Sequence, residues 1–138
     1  MRQGVGTYCF KKLFGPIITG RSYSDKELEV NIVTLRRSLT LLEQRLATKP
    51  YLTGNQPTIA DISAACELDS SRYVDLDLSN FPKTKAWLYH MIDENPTMME
   101  LSIPVRKVAK IFIEKAKNEG TFVNLDIKPG MEYGEPKL

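Results

Sequence analysis

A single stripe of large apolar residues runs along the segment from residue 28 to residue 46. Its members follow one another at alternating spacings of four and three residues, which is the repeat of one face of an α-helix. The stripe extends over about five helical turns, and Ser24 or Asp25 can cap its start. Because such a stripe must be buried against other elements, the pattern predicts a long helix within a helical bundle. The stripe consists of Leu28, Ile32, Leu35, Leu39, Leu42 and Leu46.

Residues 52–68, LTGNQPTIADISAACEL, predict the start of a second helix. The Thr58 hydroxyl can accept a hydrogen bond from the amide of Asp61, and the Asp61 carboxylate can reach back to the amide of Thr58, which makes a capping box. Pro57 and Ile62 occupy the positions of a hydrophobic staple, which fixes how the chain enters a helix. We therefore interpret these four residues as structural. The run behind them is small and apolar all round, which predicts a central buried helix.

Three further segments have helical patterns, and none of the chain shows the alternation of a β-strand. Residues 1–14 form the first segment, which Gly15-Pro16 is expected to end. The sequence thus predicts an all-α domain of five or six helices over residues 1–119, followed by an extended tail, 120–138, punctuated by Gly and Pro and without a core role. The two C-terminal helices are expected from about Pro82 to Asn95, with Trp87, Leu88, Met91 and Ile92 inward, and from a Thr97 cap onward, with Leu101, Val105, Val108, Ile111 and Phe112 inward and a kink at Pro104.

The composition argues against several classes of function. A net charge of +2 is too small to indicate nucleic-acid binding. Cys9 and Cys66 form neither a metal pattern nor a disulfide framework, and no apolar stretch reaches the ~20 residues that span a bilayer. His90 is the only histidine, and we expect it on a helix surface or half-buried. We accordingly predict no catalytic residue, no metal site and no membrane span.

The N-terminal segment is basic. It contains four lysines or arginines before Asp25, which is its first acidic residue. A basic first helix of the folded domain explains this pattern, and a mitochondrial presequence is the alternative. The predicted compartment is therefore cytoplasmic, with a mitochondrial location as the alternative.

The stretch YLTGNQPTIADISAACEL resembles the centre of the C-terminal helical domain of glutathione transferases. A Gly turn followed by [S/T]-x-A-D at the start of a helix is a hallmark of that family, and the sequence of this stretch is most similar to that of the theta-like class. The segment GTYCFKKLFGPIITG resembles the end of that domain's first helix, and FPKTKAWLYHM resembles its penultimate helix. The resemblance covers roughly residues 1–117.

The resemblance implies a division of labour between two domains. In the family, a thioredoxin-like domain binds glutathione and supplies the serine that activates the thiol, and this chain has no counterpart of it. By resemblance, Arg2 matches an arginine that points at the thiolate, Phe14 matches a position in the electrophile pocket, and Tyr8 could share that wall. The chain alone is expected to bind no cofactor, and glutathione would be a co-substrate if a thioredoxin-like domain were supplied.

Three functions remain open at this point. The chain could be a non-catalytic accessory subunit that binds a protein partner or a second copy through residues 1–14 and the tail 120–138, since Val5, Tyr8, Phe10 and Phe14 are expected to be open to water. It could instead be a fragment of a theta-like transferase that conjugates glutathione to hydrophobic electrophiles. In the third alternative, a separate chain supplies the thioredoxin-like half. Isolated, the chain is expected not to be catalytic.

Overall fold

The computed structural model describes residues 1–122 and 124–129. Within these ranges the chain forms five helices and one isolated β-bridge, so the predicted all-α class is confirmed. Helix α1 consists of four consecutive pieces, and α3 and α4 each continue into a turn of different pitch. The bounds are Arg2–Gly6, Thr7–Cys9, Phe10–Phe14 and Gly15–Thr19 for α1; Asp25–Leu46 for α2; Ile59–Asp69 and the 3-10 turn Ser70–Val74 for α3; Pro82–Leu88 and the π turn Tyr89–Asp93 for α4; and Pro96–Asn118 for α5.

Helix α1 is longer than its sequence predicts. Gly15-Pro16 does not end it, because Pro16 lies in the first turn of the piece Gly15–Thr19, where a missing amide breaks little. The helix ends at Gly20, whose φ of 68° lies in the left-handed region that favours glycine. Two pieces of α1 are π-helical, which is a rare conformation.

Helices α1 and α2 approach each other closely at Gly4. A Cβ atom at this position would lie 2.8 Å from the Cα atom of Leu35, so only glycine fits. Next to this contact, the buried Asn31 donates from Nδ2 to the carbonyl oxygen of Gln3 at 2.6 Å. The close approach places the N-terminal half of α1 directly on the apolar stripe of α2.

The stripe of α2 is confirmed. Its five leucines are buried, and Ile32 packs against the same core. Ser24 is the N-cap, and it forms a capping box with Glu27 in which the Ser24 amide donates to Glu27 Oε2 at 3.0 Å. These bonds and the adjacent Arg21 hold the pKa of the Glu27 carboxyl below its usual value.

Helix α3 is not buried all round, and this expectation was wrong. Ala65 and Leu68 are buried, but Ile59 is 77% exposed, and Ile62 and Cys66 also face outward. The helix packs on one side against α1 and α4. A sequence of small and apolar residues does not distinguish the covered side from the open one, which is why the pattern misled.

The C-terminal helices follow the prediction in part. Trp87, Leu88, Met91 and Ile92 are all buried in α4, as expected. Helix α5 starts earlier than expected, because Asn95 and not Thr97 is its N-cap. The predicted inward stripe of α5 was wrong in two positions, Leu101 and Ile111, which are exposed. The buried side of α5 instead carries Met98, Ser102 and Ala109.

Two expectations about the ends of the chain were wrong, the first of them for Val5 and Tyr8 but not for Phe10. Val5 and Tyr8 are buried by this chain's own helices, and Phe10, 41% exposed, remains more open. In the described part of the tail, Ile127 lies in the core, the Asp77 amide donates to the carbonyl of Leu125 at 3.0 Å, and Asn80 Nδ2 donates to the carbonyl of Ile127 at 3.2 Å. This part of the tail therefore has a core role. Val123 and residues 130–138, also covered by that expectation, lie outside the described residues.

Candidate functional site

Three aromatic rings meet where α1, the turn after α3 and α5 come together. The Phe14 ring centroid lies 5.2 Å from that of Tyr73 and 5.1 Å from that of Phe112, and both pairs have edge-to-face geometry. All three side chains are partly buried. Burial raises the pKa of the Tyr73 phenol, with smaller contributions from Cys9 and Asp69. Like an ordinary tyrosine, it is uncharged at neutral pH. The cluster offers an apolar, uncharged surface.

The contacts between α1 and α3 continue from this cluster toward the start of α1. Cys9 Sγ lies 3.5 Å from the carbonyl oxygen of Ser70 and donates to it. Nearer the start of α1, Arg2 Nε forms an ion pair with Glu67 Oε1 at 2.9 Å. The Arg2 side chain is 84% exposed, so the pair contributes little to stability and leaves the guanidinium accessible to solvent.

The structure does not gather Arg2, Tyr8 and Phe14 around one set of neighbours. Arg2 pairs with Glu67, and Phe14 packs against the other two aromatic rings. Tyr8 belongs to the hydrophobic core, where burial raises the pKa of its phenol, with smaller contributions from Cys9 and Asp25. A buried phenol of this kind serves packing. Of the other two residues, Arg2 is exposed and Phe14 is partly buried.

Thr58 and Asp61 form a capping box at the start of α3. Thr58 Oγ1 accepts from the Ala60 amide at 3.3 Å, and Asp61 Oδ2 accepts from the Thr58 amide at 3.0 Å. Asp61 is fully buried, and its Oδ1 accepts from the Leu52 amide at 2.9 Å and from Trp87 Nε1 at 3.2 Å. The carboxylate thus joins the loop before α3 to α4, which gives it a structural role wider than a helix cap.

Pro57 and Ile62 line a cavity of about 520 Å³ between the loop before α3, the end of α4 and the start of α5. Tyr51, His90 and Glu94 contribute the titratable groups of its wall. His90 is exposed, as one of the two sequence-based readings expected.

A larger cavity, of about 770 Å³, lies between the turn after α3, α4 and α5. A closed ring of polar contacts borders it: Asp69 contacts Arg72 at 2.6 Å and Ser102 at 2.6 Å, and Asp93 contacts Arg72 at 3.3 Å and Arg106 at 2.6 Å. Arg106 Nε closes the ring on Ser102 Oγ at 3.1 Å. Because these charges are already paired, the ring serves to join the three elements. None of the three clustered aromatic residues lines this cavity.

Sequence reasoning missed Tyr73, Glu67 and the polar ring. Tyr73 lies in a 3-10 turn, and Glu67 lies within a helix interpreted as buried, so neither stood in a recognisable pattern. Phe112 was recognised only as a core residue of α5. Aromatic residues that come together from distant parts of the chain leave no local signal.

Residues 1–122 and 124–129 contain neither a metal-binding cluster nor a membrane-spanning helix. No group of three or more His, Cys, Asp or Glu side chains there could hold a metal ion. None of the helices formed by these residues is both long and apolar enough to cross a membrane.

Comparisons with known proteins agree with the helical architecture. The sequence matches the family model described as "Glutathione S-transferase, C-terminal domain" over residues 7–95. It is 28% identical over 104 residues to Glutathione S-transferase D6 of Drosophila melanogaster, a match that covers 75% of this chain and 46% of that protein. The chain therefore spans about half the length of this relative, and no solved structure matches it. The chain belongs to the family of glutathione S-transferase C-terminal domains.

Proposed function

We propose that this domain provides the hydrophobic wall against which a theta-like glutathione transferase binds its electrophilic substrate. The observation that carries the proposal is the cluster of Phe14, Tyr73 and Phe112. Edge-to-face rings that are only partly buried offer flat apolar surface to an aromatic or alkyl group. The Tyr73 phenol, like that of an ordinary tyrosine, is uncharged at neutral pH, which suits a hydrophobic electrophile.

Glutathione would be the co-substrate, bound by a thioredoxin-like domain in a longer form of this chain or in a separate chain. Arg2 would then lie near the thiolate, where a positive charge lowers the pKa of a thiol. The ion pair between Arg2 and Glu67 weakens this effect on the thiol pKa, because the carboxylate offsets part of the positive charge. Arg2 is accordingly proposed as an orienting group of modest effect.

Binding of a non-reactive aromatic analogue such as dinitrobenzene tests the proposal by calorimetry. We expect Phe14→Ala and Phe112→Ala each to weaken binding about two- to tenfold, which corresponds to the ~0.5–1.5 kcal/mol of an aromatic contact. Tyr89→Ala is the matched control, since Tyr89 is exposed and lies outside the cluster. Unchanged affinity in both phenylalanine variants, with a normal unfolding midpoint, would overturn the proposal.

An accessory, non-catalytic role is the second candidate. It is supported by Phe10, Ile17 and Ile18, three exposed apolar residues on α1, because apolar surface of this kind is often covered by a partner. A protein partner, or a second copy, would cover this part of α1, and the proposed compartment is cytoplasmic. Light scattering after size-exclusion chromatography tests the homodimer: a monomer at all concentrations excludes it, whereas a dimer dispersed by Ile17→Lys together with Ile18→Lys supports it.

A further inference from the structure

A carboxylate, an imidazole and a phenol form a hydrogen-bonded chain on the side of the molecule that carries the smaller cavity. His90 Nδ1 lies 2.7 Å from Glu94 Oε2, and His90 Nε2 lies 3.1 Å from Tyr51 Oη. Tyr51 belongs to the loop between α2 and α3, whereas His90 lies in the π turn of α4 and Glu94 directly follows it. The fold thus brings Tyr51 next to His90 and Glu94, which are distant from it in the sequence.

The chemistry of the two nitrogen atoms of His90 sets the donor and acceptor of each hydrogen bond in this series. An ionised carboxylate only accepts hydrogen bonds, so Nδ1 of His90 carries the proton that faces Glu94. In the neutral imidazole, Nε2 then presents its lone pair to the hydroxyl of Tyr51. A base held against a hydroxyl and oriented by a third group is the arrangement that activates a nucleophile.

The loop that carries Tyr51 is held in place on both sides. The Tyr51 amide donates to the carbonyl of Gly54 at 3.2 Å, and the next amide, of Leu52, donates to the buried Asp61. Arg45 Nε donates to the carbonyl of Leu52 at 2.7 Å. These bonds fix the backbone of the loop that carries the phenol, and a preformed loop lowers the cost of a reaction that needs fixed geometry.

The cavity beside the phenol has a mostly apolar wall. Its volume is about 520 Å³, and its apolar lining comes from Pro57, Ile62, Met91, Pro96 and Met98. The titratable side chains that line it are Tyr51, His90 and Glu94. A cavity of this volume accommodates a small organic molecule, and its apolar wall favours a short hydrocarbon chain next to the phenol.

We propose that Tyr51 is a nucleophilic tyrosine that accepts an acyl group from activated esters with a short apolar acyl chain. Tyr51 Oη attacks the ester carbonyl carbon, and its proton passes to His90 Nε2. The bond from that carbon to the leaving oxygen then breaks, and His90 returns the proton to the leaving group. The products are the Tyr51 ester and a free alcohol or phenol, so atoms and charges balance without any oxidant. Glu94 is a positioning residue, since it acts through His90.

Acylation of the full chain by nitrophenyl butyrate, followed by mass spectrometry of tryptic peptides, tests this proposal. Tyr89 serves as the internal control, since its side chain is 57% exposed and it lies outside the chain of bonds. General bases accelerate such steps by ~10²–10⁴ in enzymes. Because His90 and Glu94 are 55% and 52% exposed, we expect only about tenfold faster acylation of Tyr51 than of Tyr89.

Variants separate general-base assistance from simple accessibility. His90→Gln should reduce the Tyr51 rate to that of Tyr89, and Glu94→Gln should reduce it in part. Tyr51→Phe should remove the fast ester while Tyr89→Phe leaves it in place. Equal rates at the two tyrosines, no ester at Tyr51, or an unaffected rate in His90→Gln would each overturn the proposal.

Discussion

At the scale of single residues, Asp61 makes more structural hydrogen bonds than the sequence around it predicts. Its two carboxylate oxygens serve the cap of α3, the loop amide of Leu52 and the indole of Trp87. The capping box could be read from Thr58 and Asp61 alone, because it depends on residues three positions apart. The bond to Trp87 spans 26 residues and could not be predicted, since nothing local links the two side chains.

Replacement of Asp61 should therefore cost more than loss of a helix cap. Asp61→Ala leaves the buried Trp87 indole and the Leu52 amide without an acceptor, and each such loss costs ~1–3 kcal/mol. We expect the free energy of unfolding to fall by about 2–4 kcal/mol, measured by urea denaturation. Asp25→Ala, at an exposed position in the first turn of α2, should change it by less than about 1 kcal/mol. Similar midpoints for the two variants would contradict this role.

The two cysteines should differ sharply in reactivity. Burial raises the pKa of the Cys9 thiol to about 12, whereas Cys66 is exposed. Since the thiolate is the reactive form, iodoacetamide at neutral pH should alkylate Cys66 alone in the folded chain and both residues after unfolding. Peptide mass spectrometry checks this outcome. Equal alkylation of Cys9 in the folded chain would contradict the burial of this residue.

The same shift predicts a loss of stability in alkali. The pKa of Cys9 in the folded chain lies above its ordinary value of 9.0, so the folded state retains the thiol proton to a higher pH than the unfolded state does. The contribution of the Cys9 thiol to the free energy of unfolding is complete below about pH 9, and it is lost as the pH rises toward 12. Cys9→Ala should reduce the decrease in the free energy of unfolding over this pH range. Cys66→Ala should leave more of that decrease in place.

At the scale of elements, the packing of α1 on α2 decides how the N-terminal half of the fold is built. Gly4 lets the two backbones approach, and Asn31 binds the carbonyl of Gln3 within a π-helical turn. A glycine within a helical segment suggests that another backbone approaches closely. The helical repeat of the sequence predicts neither that this neighbour is Leu35 nor that α1 contains π turns.

A methyl group at Gly4 should disrupt this contact. Alanine favours a helix by ~1 kcal/mol over glycine, but a Cβ atom 2.8 Å from the Leu35 Cα forces the helices apart. We expect Gly4→Ala to lower the free energy of unfolding by about 1–3 kcal/mol. Gly54→Ala is the control, because a Cβ there meets nothing within 4 Å. A gain in stability for Gly4→Ala by thermal denaturation would disprove the close approach.

At the scale of the whole molecule, contacts distant in sequence hold the C-terminal elements together. The polar ring through Asp69, Asp93 and Ser102 joins α3, α4 and α5. The segment 124–129 then packs beside residues 77–80 and places Ile127 in the core. These contacts make the described part of the tail a component of the domain.

Truncation of Ile127 should release this segment. Ile127→Ala removes a fully buried side chain and should cost about 2–4 kcal/mol, with faster hydrogen exchange at the Asp77 amide, which donates to Leu125. Lys128→Ala is the neighbouring control, since its ion pair with Asp126 is long, at 3.9 Å, and exposed. An unchanged exchange rate in Ile127→Ala would show that the segment does not depend on this anchor.

The sequence by itself determined the helical class, the stripe of α2, the cap of α3 and the family resemblance. All of these depend on residues within a few turns of one another, where helical geometry fixes which side chains meet. Only the tertiary structure decided that Ile59 faces outward, that Val5 and Ile127 are buried, and that Tyr51 meets His90. These outcomes depend on which helix faces are covered by distant parts of the chain, and a repeat within one helix carries no information about its neighbours.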